Sequence, residues 1–180
     1  LVVDPPDGSV RLWQDRSSPW TVTAVSPPWP IHLMRRLTID GHEPALPRMA
    51  VEASTQGKSH ASLTLTVPSA GTCRVEVSGR TVTVELTLAP GDPVRAGPEI
   101  PLALGRSRVR ADGGAWQDVD DALAVNGHRF RITDGDHTVL VSSPRPCELF
   151  VRPLAGRGMV IWPHWLVREG GTYRLDITPS

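Results

Sequence analysis

The feature that most constrains this chain is a strict alternation of polar and apolar residues from Thr81 to Leu88. A period of two places every second side chain on the same face of a β-strand. Val75 and Val77 show the same period just before this run, and Ser78-Gly79-Arg80 separates the two segments. The pattern therefore predicts a β-hairpin with its turn at the glycine.

A second hairpin is indicated over residues 128–143, with its turn at Asp134-Gly135-Asp136. Residues 62–67 alternate in the same way, with serine and threonines on one face and leucines and a valine on the other. Weaker strand signals recur about every ten residues, a spacing typical of all-β folds. They cover residues 9–14, 20–25, 31–39, 49–53, 106–110, 148–152, 159–162 and 172–178.

The segments between the predicted strands are rich in proline and glycine, of which the chain has 18 and 16. Proline lacks the amide proton that a central strand needs, so this spacing is typical of an antiparallel β protein. No window shows the period of an amphipathic helix, and only residues 118–125 offer a single helical turn. We therefore expect helix in less than about 10% of the chain, well below the usual share.

We predict an all-β fold, an antiparallel β-sandwich or jelly roll, with long Pro/Gly-rich loops. The absence of a fixed-length repeat argues against a propeller or a β-helix. A length of 180 residues fits one domain spanning 1–180. Residues 89–101 are the best internal break, although a long loop explains them as well as a domain boundary does. Because the chain starts at Leu1 and enters its first strand from a linker-like segment, we expect a module of a longer chain.

Charge and hydropathy exclude two classes of partner. The formal net charge is zero, so no global basic field for nucleic acid is expected. No apolar run is long enough to span a membrane. The positive charge is almost all arginine, with Lys58 the only lysine, which is typical of a GC-rich bacterial genome.

The aromatic residues are strongly biased, with 6 Trp against 1 Tyr and 2 Phe. An indole face can stack on the C–H face of a sugar ring, so exposed tryptophans suggest glycan binding. Trp116 follows the glycine-rich Asp112-Gly113-Gly114-Ala115 and is expected at a loop tip or the start of a strand. Trp162 and Trp165 flank Pro163-His164, which we expect to lie outside regular sheet. These three are candidate ligand-binding residues, and the alternative is packing in the core or at its rim.

Arginines recur with a period of two on two predicted strands. They are Arg106, Arg108, Arg110, Arg129 and Arg131. If the strands are neighbours and Val109 and Phe130 face the core, the last four share one solvent-facing surface. Such a surface suits the carboxylates or sulfates of an acidic polysaccharide. We expect instead that Glu76, Glu85 or Glu148 lies across from these arginines, which would make the row cross-strand ion pairing without a binding role.

Cys73 and Cys147 lie in separate predicted strands. In a secreted protein they can form a disulfide, which would stabilise the fold by about 4 kcal/mol in the chain-entropy model. The alternative is two buried free thiols that behave as small apolar side chains.

Three acidic turns offer hard oxygen ligands for a structural calcium, although none has the spacing of a twelve-residue calcium loop. The turns contain Asp4 and Asp7, then Asp118, Asp120 and Asp121, then Asp134 and Asp136. The six histidines and two cysteines have no local spacing typical of a metal site. We predict no metal or other cofactor.

Sequence motifs for catalysis are missing. There is no Gly-x-Ser-x-Gly elbow, no phosphate-binding loop and no dinucleotide fingerprint. A glycosidase needs two carboxylates on either side of one bond, and the sequence singles out no such pair. A lyase acting beside a uronate needs a Tyr or His base with an Arg or Gln, for which Tyr173 is the only tyrosine.

The segment Asp112-Gly113-Gly114-Ala115-Trp116-Gln117 and residues 126–141 resemble the accessory β-sandwich domains attached to bacterial carbohydrate-active enzymes, polysaccharide lyases included. They are turn and strand patterns rather than family motifs. The start at Leu1, the missing catalytic motifs and the tryptophan and arginine surfaces predict a non-catalytic module of a secreted or cell-surface bacterial protein that contacts glycan or packs against a catalytic domain. Two alternatives remain: a glycan-active enzyme (a polysaccharide lyase, a glycoside hydrolase or part of a catalytic unit), or a cell-surface adhesion or assembly domain.

Overall fold

The computed structural model describes residues 12–14, 22–24, 32–34, 36–43, 48–52, 60–67, 70–90, 94–154, 158–167 and 170–180. All regular structure in these residues is β-strand, and no helix is present among them, hence none long and apolar enough to cross a membrane. The strands are β1 (Leu12–Gln14), β2 (Val22–Ala24), β3 (His32–Met34), β4 (Arg36–Ile39), β5 (Arg48–Glu52), β6 (His60–Val67), β7 (Gly71–Ser78), β8 (Thr81–Leu88), β9 (Val94–Leu102), β10 (Arg108–Ala111), β11 (Gln117–Asp118), β12 (Leu123–Thr133), β13 (Thr138–Leu154), β14 (Gly158–Val167) and β15 (Gly171–Pro179).

Twelve of these strands form one antiparallel sheet that curls into a half-barrel. Its first wall has the order β11-β10-β12-β13-β15-β8-β7-β6-β5. Its second wall continues from β13 through β14 and β9 to β4. The remaining strands, β1 to β3, pair in a separate three-stranded sheet.

The two walls share one hydrophobic core. Alternation along β8 buries each of its apolar residues and leaves the intervening polar ones at least partly exposed, as a half-buried strand requires. Leu86 of the first wall and Ile161 of the second belong to the same buried cluster. Trp165 of β14 packs against Tyr173 of β15 with ring centres 5.8 Å apart. The curl of the sheet therefore brings its apolar faces together.

The 17-residue strand β13 connects the walls. Its first part pairs with β15 through Val139 to Ser142, and its second part pairs with β14 through Glu148 to Leu154. Pro144 and Pro146 lie at the changeover. Since neither proline can donate a backbone hydrogen bond, this is the point where the strand can leave one neighbour for the other.

The predicted all-β antiparallel class and both hairpins are confirmed, whereas a jelly roll is not. β7 and β8 pair across a turn in which Gly79 has φ 57°. β12 and β13 pair across Asp134-Gly135-Asp136. The prediction of a loop over residues 89–101 is wrong, because β9 begins at Val94 and pairs with both β4 and β14. Pro98 lies where the ladder to β14 is interrupted, so its missing amide proton is tolerated there.

Candidate functional site

The first wall brings the predicted arginines together on one surface. Val109 is fully buried and Phe130 is 2% exposed, so the residues on either side of them point to solvent. Arg110 lies directly opposite Arg131 in the ladder between β10 and β12. We call the solvent side of these two strands the arginine face. It consists of Arg108, Arg110, Arg129 and Arg131.

The expected pairing of the arginine face with glutamates is wrong. Glu76 contacts Arg74 at 2.8 Å, and Glu148 contacts Arg95 at 3.2 Å. Glu85 lies opposite Arg74 and Arg174 in the ladders of β8. One strand, β12, lies between Glu148 on β13 and strand β10, and three or more strands separate Glu85 on β8 and Glu76 on β7 from β10. In the part of the chain that the structure describes, no carboxylate forms an ion pair with the arginine face.

A tight turn folds the chain back against this surface. Asp112 and Gly113 have φ 46° and 78°, and Gly114 donates a backbone hydrogen bond of 2.8 Å to the Ala111 carbonyl, as in a type I′ turn. The Asp112 carboxylate accepts backbone hydrogen bonds from His128 at 3.1 Å and Arg129 at 2.9 Å. These bonds lower the pKa of Asp112 and tie the turn to β12.

The turn places Trp116 beside β10, where its ring contacts two arginines. The guanidinium carbon of Arg108 is 4.8 Å from the ring centre and that of Arg110 is 4.6 Å from it. These are cation–π distances. Trp116 thus belongs to the same site as the arginines, but its observed contacts are with guanidinium groups.

A groove of about 580 Å³ runs from this turn across β12 to β13 and β15. Arg110, Arg129 and Arg131 line its cationic side. Leu140, which is 36% exposed, and Thr178 supply an apolar and a hydroxyl surface beside them. The groove therefore combines cations that can bind an anion with an uncharged surface against which a sugar ring can lie.

The other two predicted tryptophans lie on the second wall. Trp165 is 1% exposed and donates a hydrogen bond of 3.2 Å from Nε1 to Ser143 Oγ, so its prediction as a ligand-stacking residue is wrong. Trp162 is half-buried and donates from Nε1 to the Gly97 carbonyl at 3.2 Å. Contrary to expectation, Pro163 and His164 are part of β14, because both stay in register with β13. Residues three apart on a strand point to opposite faces, which separates the two indoles.

The structure does not contain the disulfide that the sequence left possible. Cys73 and Cys147 are both buried and form no disulfide, and they lie on strands that do not pair with each other. Burial raises the pKa of each thiol to about 12. The alternative reading, two buried thiols that act as small apolar side chains, agrees with the structure.

The acidic turns that we considered for calcium have protein partners. Asp120 accepts hydrogen bonds of 2.9 and 3.1 Å from Arg106, and Asp134 accepts backbone hydrogen bonds from Gly105 and His137. Asp4 and Asp7 lie outside the described residues. Among the residues that are described, no three His, Cys, Asp or Glu side chains lie close enough to hold a metal. The prediction that the chain has no metal or other cofactor stays untested.

A second concavity, of about 260 Å³, lies on the second wall and was not predicted. Glu148 on β13 and His164 on β14 lie directly opposite each other, and Arg95 forms an ion pair with Glu148 at 3.2 Å. Burial lowers the pKa of His164, whose Nδ1 has no hydrogen-bond partner in the described residues. The side chain packs between the rings of Phe150 and Trp162, at 4.7 and 4.6 Å. Only the β13–β14 register brings these groups together, so no local motif could reveal them.

Comparison with known proteins gives similarity at the level of the fold. No family model matches the sequence, and no curated protein matches it. A candidate aldose 1-epimerase from Escherichia coli K12 is similar with TM-score 0.57 at 10% identity, covering 100% of this chain and 99% of that one. The 4-alpha-glucanotransferase from Thermococcus litoralis gives 0.56 at 10% identity, covering 99% and 38%. A galactose mutarotase related enzyme from Lactobacillus acidophilus gives 0.51 at 11% identity, covering 100% and 97%.

Proposed function

We propose that this chain is a non-catalytic module of a secreted bacterial carbohydrate-active protein, and that its arginine face binds an acidic polysaccharide. The observation that carries the proposal is the set of four guanidinium groups that share one exposed surface and form no ion pair in the described part of the chain. The structural neighbours support the carbohydrate part, since the proteins named above include enzymes named for sugar chemistry.

The electrostatics of the surface favour an anionic ligand. Like charges placed directly opposite each other in a sheet are destabilising, and Arg110 and Arg131 are such a pair. Elsewhere on the same sheet face, Arg74 and Arg174 each lie within 3 Å of a carboxylate. An arginine binds a carboxylate or sulfate through two parallel hydrogen bonds, so a polyanion would relieve the repulsion that the fold leaves in place.

Affinity electrophoresis of the wild-type protein tests the proposal. The panel contains heparin, chondroitin sulfate, alginate and hyaluronan, with dextran and xylan as neutral glycans. We expect retardation by acidic glycans that weakens with salt, because the screening length falls from about 10 Å at 0.1 M to about 3 Å at 1 M. Equal retardation by the neutral glycans, or none by any acidic one, would contradict the proposal.

A second candidate function, a sugar-active enzyme, is favoured by the concavity that contains Glu148 and His164. A carboxylate beside an imidazole that burial keeps neutral can transfer protons to and from a bound hydroxyl group. Polarimetry of free aldoses and the absorbance of unsaturated uronates on acidic glycans test the two reaction classes. Turnover that E148Q and H164Q abolish but R131Q retains would support catalysis. If the wild-type protein shows no activity in either assay, this second candidate function would be refuted and glycan binding would be the remaining proposal.

A further inference from the structure

We infer that Trp116 is a positioning residue, which holds the guanidinium groups of Arg108 and Arg110 side by side so that both bind one oxyanion of the ligand. The oxyanion is a sulfate ester or a carboxylate on an acidic glycan. This inference rests on the proposed function, because it concerns how the arginine face recognises its ligand.

The indole restricts both arginines. Each guanidinium carbon lies within 5 Å of the same ring centre, at 4.8 Å for Arg108 and 4.6 Å for Arg110. Two cations on flexible side chains would otherwise move apart in water. Attraction to the electron-rich face of the ring counteracts their repulsion and limits the distance between them.

The ring is itself held in place. Trp116 is partly buried, and it follows a turn that the Asp112 carboxylate ties to the backbone of β12. The position of the indole is therefore set by the fold before any ligand binds. Interactions that are organised in advance reduce the ordering that binding would otherwise require.

Stacking leaves the arginines free to bind. A guanidinium uses its flat face against an aromatic ring, whereas its N–H donors lie in the plane and point outward. Because both guanidinium carbons lie within 5 Å of one ring centre, N–H donors from both groups can reach a single anion at the edge of that ring. This arrangement suits a group with several acceptor oxygens, which a sulfate or carboxylate has and a neutral sugar lacks.

The neighbouring charges make the pair asymmetric. Arg110 lines the groove and lies opposite Arg131, which adds a third cation. Arg108 lies opposite Asp118 of β11, at the edge of the sheet. We therefore expect R110Q to weaken binding more than R108Q does, because the oxyanion sits toward the groove.

The experiment measures dissociation constants by calorimetry at several salt concentrations. The ligands are a sulfated heparin oligosaccharide and an unsulfated alginate oligosaccharide, which distinguish the two oxyanions. The variants are W116L, W116F and R131Q. The melting temperature of each is compared with that of the wild-type protein to check that the variant folds. W116L keeps apolar bulk without a π face, and we expect it to bind about tenfold more weakly. W116F keeps an aromatic ring and should bind almost as tightly as the wild-type protein. W116L should leave the salt dependence of binding unchanged because it removes no cation. R131Q removes one cation and should reduce the salt dependence of binding.

A second comparison separates positioning from direct stacking on sugar. In the R108Q/R110Q background, W116L should cost no further affinity if the indole acts through these arginines. A tenfold loss in that background would show that the indole contacts the sugar directly, and would overturn the inference. A wild-type protein that binds neither oligosaccharide would refute the proposed function as well, whereas binding that W116L leaves intact would refute only the inference. Equal affinity for a single-stranded oligonucleotide would overturn the assignment to glycan.

Discussion

Two regions on the solvent side of the first wall differ in what surrounds their arginines. On β7 and β15, Arg74 contacts Glu76 at 2.8 Å and Arg174 contacts Asp176 at 2.9 Å. We call this the acid-paired region. On the arginine face, Arg110 has Arg131 across from it instead of an acid. Both regions obey the same period-two alternation, so the fold explains their exposure but not their difference in charge.

The comparison shows that a net charge of zero can hide a local field. Surface ion pairs contribute about 0–1 kcal/mol each, so the ion pairs of the acid-paired region add little to the stability of the fold. The arginine face has no such ion pair among the described residues, so positive charge is concentrated beside its groove. The overall charge excludes a global basic field, but it does not exclude a local anion site.

The first prediction tests whether the two regions rest on the same core. F130A beneath the arginine face should lower the free energy of unfolding by about 3–5 kcal/mol, and L86A beneath the acid-paired region by about 2–5 kcal/mol. Both side chains are at most 2% exposed, so each truncation leaves a cavity. Urea unfolding followed by circular dichroism measures both. A loss below about 1 kcal/mol for F130A alone would mean that the arginine face is not supported by the shared core.

The second prediction tests whether the regions differ in binding. R110Q/R131Q should weaken binding to a sulfated glycan about a hundredfold, since each arginine loses charged hydrogen bonds to the ligand. The matched control R74Q/R174Q removes the same charge from the same sheet face and should change affinity less than about twofold, because its arginines already have acidic partners. Calorimetry at low salt compares the two doubles. Equal losses would show that only total charge matters.

The third prediction is that removing an arginine changes the free energy of unfolding in opposite directions in the two regions. R131Q removes a like-charge contact and should raise the free energy of unfolding by about 0.5 kcal/mol. R174Q removes an attractive contact and should lower it by about 0.5 kcal/mol. Denaturant titrations at 0.05 M and 1 M salt should show both effects shrinking as salt screens the charges. A destabilising R131Q would mean that the arginine face contributes to the fold itself.

The fourth prediction is that no covalent link joins the regions. Cys73 lies in β7 of the acid-paired region, and Cys147 lies in β13 next to the arginine face. Both thiols have a pKa raised to about 12 by burial, so almost no thiolate exists at pH 8. Adding a reductant should leave the melting temperature unchanged, and iodoacetamide should label the native protein far more slowly than the unfolded one. If the reductant lowers the melting temperature, the result would contradict this prediction and indicate that Cys73 and Cys147 form a disulfide.

The sequence predicted the arginine face because alternation is a local property. Knowing that Val109 and Phe130 are apolar is enough to place the arginines beside them on the other face of each strand. The ion pairs were predicted wrongly because they depend on which strands become neighbours. The order of β13, β15 and β8 in the sheet joins segments far apart in the chain, and no turn or spacing records it.

The tryptophans show the same contrast between what local sequence predicts and what depends on strand pairing. Trp162 and Trp165 are three residues apart, so a strand must place them on opposite faces, and that much could be read from the sequence. Proline at position 163 suggested an irregular segment instead, and only the pairing with β13 shows that the strand continues. The contact of Trp116 with two arginines follows from the turn at Asp112-Gly113. The Asp-Gly pair favours such a turn, but nothing local in the sequence shows where the turn places the indole ring.

The shared strand β13 has a consequence for how the protein opens. Val141 pairs with β15 in the first wall, and Val151 pairs with β14 in the second. Neither wall can separate from β13 without disturbing a strand that the other wall also holds. Amide protons at the two ends of β13 should therefore exchange with deuterium through one common event, the cooperative unfolding of both walls. The strand couples the arginine face and the concavity of Glu148 into a single unit of exchange.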